Sequence, residues 1–137
     1  MAKILIVEDE GVVAMDISWT LSQLGHETLG IAASCDEAIK QSSDRAPDLV
    51  LMDIGIKGDR DGIETAEILR DRFDPAIIYL TAFGDEATVA RAKKTEPYAY
   101  LIKPVSTDVL CTAIDLALHH HKLKQQLRAR GDHPVSA

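Results

Sequence analysis

The chain has 137 residues, with 22 acidic and 15 basic side chains for a formal net charge of −7; 46% of residues are hydrophobic and 27% charged. That length suits one domain with a core that needs no staple, and the ordinary apolar fraction excludes disorder throughout. No stretch approaches the ~20 apolar residues of a membrane span, the N-terminus lacks a secretory pattern, and the acidic balance speaks against nucleic acid as a direct partner.

Residues 3–7, KILIV, read as a buried strand. Residues 11–24 place Val13, Ile17, Leu21 and Leu24 at helical spacing, with Gly25 as the stop. Residues 28–32 form a weaker strand. Ser34 and Glu37 make an S-x-x-E capping box for a helix through about Ser43. Residues 48–52, DLVLM, are the third strand. A polar loop over 55–60 follows, and Asp61 caps a helix over 63–72. Residues 76–80 are the fourth strand, 85–94 a short helix and 98–102 the fifth strand. Ser106 opens a last helix reaching about Arg128.

Five strands alternating with five helices predict an α/β fold: a doubly wound parallel sheet with helices on both faces, joined by right-handed crossovers. The nearly all-apolar runs suit strands covered on both sides. We assign residues 1–121 to the domain and 122–137 to an extension of the last helix with a flexible tail from Gly131. The extension is basic: residues 119–137 carry +3, from Lys122, Lys124, Arg128 and Arg130 against Asp132, leaving −10 elsewhere. Two cysteines, Cys35 and Cys111, make neither a disulfide framework nor a zinc site and fit a reducing cytoplasm.

In open parallel sheets, sites form beyond the carboxyl ends of the strands. Strand one is followed by Glu8, Asp9 and Glu10. Strand three runs into Asp53, strand four into Thr81 and Ala82, and strand five into Lys103 and Pro104. Each group alone has an ordinary reading as a cap, a helix start or a loop. Together they supply what phosphoryl transfer needs. Clustered carboxylates repel unless a cation such as Mg²⁺ neutralises them. An aspartate beside that metal can act as nucleophile toward phosphorus. Mg²⁺, Lys103 and Thr81 would then partner the phosphoryl oxygens.

The motifs ILIVEDE at 4–10, LVLMDI at 49–54, DGIETA at 61–66, IIYLTA at 77–82 and YLIKP at 100–104 resemble the receiver domain of two-component response regulators, over about residues 3–120. The resemblance implies a flavodoxin-like strand order, 2-1-3-4-5. It implies that Asp53 is the phosphoacceptor, that Asp9 holds Mg²⁺ directly, that Glu8 holds it through water, and that the Gly55 carbonyl completes the ligands. Thr81, Lys103 and Tyr100 match the family's phosphate-binding and switch positions, with Ala82 beside them and Pro104 a candidate for a cis peptide. The donor would be a histidine kinase or phosphotransfer protein, and the output a changed partner affinity on the face of strand five and the last two helices. Such a domain is a signalling switch rather than an enzyme, and homodimerisation is open to it.

Three departures stand out. The loop from Asp53 to Gly62 spans nine positions, one more than is common, with Lys57 where proline is usual. Glu8 replaces the commoner aspartate. Gly55 and Phe83 occupy the two positions that shape water access, so Phe83 is expected to slow hydrolysis while Gly55 opens a gap. A haloacid-dehalogenase-like phosphatase needs a second acid where Gly55 stands. A flavodoxin-type carrier needs a phosphate loop where Glu8-Asp9-Glu10 would repel one, and no P-loop pattern is present.

The remaining features read plainly. His119-His120-His121 cannot converge on one metal from successive helix positions and reads as a solvated face. Trp19 is assigned to core or rim packing, Cys111 to the sheet side of its helix, and Cys35 to a helix start. Leu116, His120, Leu123 and Leu127 follow a four-three-four spacing. That stripe suits either a coiled-coil connector or an amphipathic extension packed on its own domain. The alternatives are the receiver part of a longer response regulator or hybrid kinase, or a phosphorylation-independent protein-binding receiver.

Overall fold

The computed structural model describes residues 1–130. Its elements are β1 (Lys3–Val7), α1 (Gly11–Gln23), β2 (Glu27–Ala32), α2 (Cys35–Asp44), β3 (Leu49–Met52), α3 (Gly62–Phe73), β4 (Ala76–Thr81), α4 (Glu86–Lys93), β5 (Ala99–Ile102) and α5 (Thr107–Ala129). The sheet is wholly parallel, in the flavodoxin-like order β2-β1-β3-β4-β5. The order reverses between β1 and β3, and that is where doubly wound sheets open a crevice.

Strand alternation divides the core into two layers. Leu5, Val7, Val50, Met52, Ile77 and Tyr79 face Ala38, Ala66, Leu69 and Ala92 from α2, α3 and α4. Ile4, Ile6, Leu49, Leu51 and Ile78 face Ala14 and Leu21 of α1 and Leu110, Ile114 and Ala117 of α5. Alanines on the inward helix faces let the helices sit close on the large strand residues. Both predicted caps form: Ser34 accepts from the Glu37 amide, and Asp61 and Glu64 bond reciprocally in a full capping box. Gly25 ends α1 at φ +84, a conformation that a side chain would resist.

Three expectations are overturned. Trp19 packs neither in the core nor at its rim but is 65% exposed. Ala14 and Leu21 face the sheet, and Trp19 points about 140° away from Ala14 at 100° per residue. The histidine run is not a uniform solvated face. His119 and His120 are exposed, but His121 is buried. Its Nε2–H donates to the Asp74 carbonyl at 2.7 Å, and its Nδ1 lies 2.8 Å from the Tyr98 hydroxyl. Cys111 turns toward Asp115 on the outer flank of α5, with Sγ 3.8 Å from the carboxylate, rather than toward the sheet. Cys35 does open α2 and is buried.

Helix α5 runs unbroken past residue 121. Beyond His121 it stays against the domain through polar bonds: Gln125 and Arg128 reach the Asp74 carboxylate at 3.5 and 3.2 Å, and Lys124 reaches Glu96 at 3.8 Å. The expected tail from Gly131 lies outside the described residues.

Candidate functional site

Glu8, Asp53 and Lys103 are each the first residue past a strand. Their amides still continue the ladder, donating to Ala32, Val7 and Thr81 carbonyls at 2.9 Å in each case. The sheet therefore fixes three backbones at one rim, and their side chains converge. Carboxylate oxygens of Glu8, Asp9 and Asp53 all lie within 4.8 Å of one another. Lys103 Nζ bonds to Glu8 Oε1 and stands 3.3 Å from Asp53 Oδ2. The other Glu8 oxygen accepts from the Glu10 amide at 3.2 Å.

Glu8 is only 2% exposed. Burial pushes its carboxyl above the usual range, and the Lys103 hydrogen bond opposes that without reversing it. For Lys103, burial pulls the ammonium down, but the bond to Glu8 and the charge of Asp53 outweigh it and leave its pKa raised. Lys103 stays protonated. Three carboxylates against one ammonium leave an excess of two negative charges when all are ionised. An all-oxygen, carboxylate-rich set of that charge fits a hard divalent cation such as Mg²⁺.

The rest of the predicted set stands at the ends of β3, β4 and β5. Thr81 closes β4 fully buried, its Oγ1 accepting from the Phe83 amide at 3.4 Å. Ala82 and Phe83 follow, exposed on the rim. The Phe83 ring lies over Gly55: a Cβ placed on Gly55 would stand 2.9 Å from Phe83 Cε2. The space that the glycine leaves is thus the space the ring covers. Tyr100 donates its hydroxyl to the Phe83 carbonyl, and its ring rests against Tyr79 at a centroid distance of 5.7 Å. The Lys103–Pro104 peptide is cis.

Sequence reasoning missed two supports. Gly62 lets the start of α3 press onto the backbone of Asp53, where a Cβ would meet the Asp53 carbonyl oxygen at 2.0 Å. The adjacent Asp61, besides capping α3, bonds Arg91 of α4 at 2.9 Å. The Asp-Gly pair at 61–62 was the available signal for the first; nothing local pointed to the second. The long loop over 55–60 is stitched to the β2–α2 connection, with the Lys57 amide donating to the Ala33 carbonyl at 3.2 Å.

This constellation is matched by one family profile, described as the response regulator receiver domain, across residues 4–115. The chain belongs to that family. Among relatives of this receiver domain, the transcriptional regulatory protein PdtaR of Mycobacterium tuberculosis is 41% identical over 117 residues, covering 85% of this chain and 56% of PdtaR. The phyllosphere-induced regulator PhyR of Methylorubrum extorquens is 30% identical over 132 residues, covering 96% of this chain and 48% of PhyR. The chain thus spans about half the length of these relatives. Among solved structures, the signal receiver domain of a modulated diguanylate cyclase from Desulfovibrio desulfuricans G20 superposes with a TM-score of 0.85 at 38% identity, covering 90% of this chain and 98% of that one.

Proposed function

We propose that this receiver domain is a phosphorylation switch that accepts a phosphoryl group on Asp53 from a phosphohistidine of a histidine kinase or phosphotransfer protein. The observation that carries the reading is the convergence of Glu8, Asp9, Asp53, Lys103 and Thr81 at the ends of four adjacent strands. An Asp53 oxygen attacks phosphorus in line. The new O–P bond forms as the donor's P–N bond breaks, and the imidazole leaves with the electron pair. Glu8, Asp9, Asp53 and the Gly55 carbonyl would hold Mg²⁺, which supplies charge neutralisation for the approaching phosphoryl oxygens.

The chain's own groups do the remaining work. Lys103 already touches Asp53, so its ammonium needs little movement to meet an oxygen of the added group. Thr81 accepts from Phe83 N, and its own O–H proton is available to a second oxygen. Drawing Thr81 inward pulls on the residues that follow it. Tyr100 is bonded to the Phe83 carbonyl, so that motion reaches the β5 face directly. The outcome is altered affinity of the α4–β5–α5 face for a downstream protein or an output domain. Phe83 over Gly55 limits the approach of water and so sets the lifetime of the acyl phosphate. Among the described residues no helix is long and apolar enough to cross a membrane, both cysteines are free, and a cytoplasmic setting is part of the proposal. A second reading, as the receiver portion of a longer regulator, is favoured by the half-length match to the relatives.

Intact mass after incubation with acetyl phosphate or phosphoramidate, with and without Mg²⁺, tests the chemistry beside Asp53→Asn. One Mg²⁺-dependent phosphoryl adduct, absent from the variant, is the expected result. No adduct, together with no beryllofluoride binding, would refute phosphorylation and leave a protein-binding receiver.

A further inference from the structure

Helix α4 is seated more lightly than its neighbours. Ala92 is its one buried residue, whereas α3 buries Gly62, Ile63, Thr65, Ala66 and Leu69. The C-terminal end of α4 is anchored. Thr95, just past the helix, is buried and shares a 2.7 Å hydrogen bond with the Tyr79 hydroxyl. Glu96 follows at φ +55 and pairs with Arg70 of α3 and Lys124 of α5, each at 3.8 Å. The N-terminal end is different. Its Asp85 cap bonds Thr88 of the same turn, and residues 82–87 are exposed.

Between the two ends stands Arg91, whose guanidinium donates to Asp61 Oδ2 at 2.9 Å. Asp61 is a fixed post. Its other carboxylate oxygen accepts from the Glu64 amide at 3.0 Å, and its own amide donates back to Glu64 Oε1 at 3.2 Å. Its carbonyl accepts from the Thr65 hydroxyl at 2.8 Å. The next amide, that of Gly62, donates to the Ile54 carbonyl at 2.8 Å. The post is therefore joined to the backbone that carries Asp53. A lightly seated helix is tied, through one side chain, to the start of a firmly seated one.

We propose that Arg91 is a positioning residue: its bond to Asp61 latches α4 in the resting position and so sets how readily Asp53 is phosphorylated. The second half of this rests on the reading of Asp53 as the phosphoacceptor. Asp85, the N-cap of α4, stands four residues past Thr81. A Thr81 that moves toward a phosphoryl oxygen draws on residues 82–85, and the N-terminal end of α4 follows. The other end is held at Thr95, so the helix pivots there. Arg91 lies one turn from that pivot, and its bond is the tie that the motion loosens. The displaced arrangement is a minor population that the phosphoryl group selects, and removing the tie enlarges it. The Arg91 side chain is 50% exposed and that of Asp61 30%. Solvent weakens such a pair, which shifts an equilibrium by roughly two- to fivefold. The latch trims the balance and does not lock it.

Amide hydrogen exchange of the full chain, read by mass spectrometry with no phosphodonor present, provides the test. In Arg91→Ala the peptides covering 84–93 should exchange about two- to fivefold faster, while those of α3 and β4 stay unchanged. Alanine is the better helix former, so a purely local effect would slow exchange instead. Arg91→Lys should restore most of the protection. Asp61→Asn keeps a capping side chain but removes the charge. It should match Arg91→Ala, and the double variant should add nothing further. Adduct formation with acetyl phosphate should then be about two- to fivefold faster in Arg91→Ala, with Mg²⁺ affinity by calorimetry unchanged. Exchange in α4 that is unchanged or slower, or additive effects in the double variant, would overturn the latch. Faster exchange with equal or slower adduct formation would overturn its control of the site. If wild type forms no adduct, the Asp53 reading fails and the link to phosphorylation falls with it, while the exchange comparison still decides the latch.

Discussion

Tyr79 offers a test of the core beneath the switch. Its side chain is fully buried in β4, with the hydroxyl 2.7 Å from Thr95 Oγ1. Thr95 commits its one hydroxyl proton to the Ala92 carbonyl, also at 2.7 Å, so the phenol is the donor of the pair. Burial pushes this phenol up to about 12. An unfolded tyrosine titrates near 10, so the unfolded chain loses its proton first as pH rises. The stabilisation from Tyr79 is thus complete below about pH 10 and falls between about pH 10 and 12, by roughly 3 kcal/mol in all. Tyr79→Phe removes one buried hydrogen bond at neutral pH, a loss of about 1 kcal/mol, because Thr95 keeps its bond to Ala92. The variant is free of the alkaline loss. Wild type should lead by about 1 kcal/mol at neutral pH, and the two should cross between about pH 10 and 11. Urea unfolding followed by circular dichroism, at steps from about pH 8 to 11.5, measures both curves. Tyr98 and Tyr100 are also raised, first by burial, but they titrate in both proteins and cancel in the difference. A difference that stays constant across that range, or moves in favour of wild type, would refute the reasoning.

Two further substitutions probe the site itself, with Gly11→Ala as a control. Gly62→Ala would drive a Cβ onto the Asp53 carbonyl oxygen at 2.0 Å and the Ile54 Cα at 2.7 Å, both backbone atoms that cannot swing aside. It should cost about 3 kcal/mol of stability and slow adduct formation at least tenfold. Gly11→Ala, where nothing lies within 4 Å, should be neutral or stabilise by up to about 1 kcal/mol; thermal melts and adduct mass spectra read both. Phe83→Ala uncovers Gly55 and should shorten the acyl-phosphate lifetime several-fold by the decay of the adduct mass. An unchanged lifetime would remove Phe83 from the control of water access.

What was legible in the sequence follows from periodicity and position. Apolar runs such as 3–7 and 49–52 mark buried parallel strands without further help. Glu8, Asp53 and Lys103 are each the first residue past such a run, so finding the strand end finds the side chain. The Ser34, Asp61 and Ser106 caps were readable for the same local reason: a side-chain oxygen reaches an amide only three residues away.

Distance along the chain is what hid the rest. His121 looked like one of three solvated histidines, because its partners, Tyr98 and Asp74, lie 23 and 47 residues away. Trp19 looked like core until the sheet selected the face carrying Ala14 and Leu21 and left the indole outside. Gly62 was visible only as part of the DGIETA motif, and its need for contact with Asp53 exists only once α3 is docked. The sequence alone determined the elements, their order, and which chemical group stands at each strand end, since these depend on neighbours within a few residues. The tertiary structure alone decided that Lys103 bridges Glu8 and Asp53, that Phe83 covers Gly55, and which stripe of α5 faces outward. Those follow from strand order and helix rotation, which bring together groups that no local pattern connects.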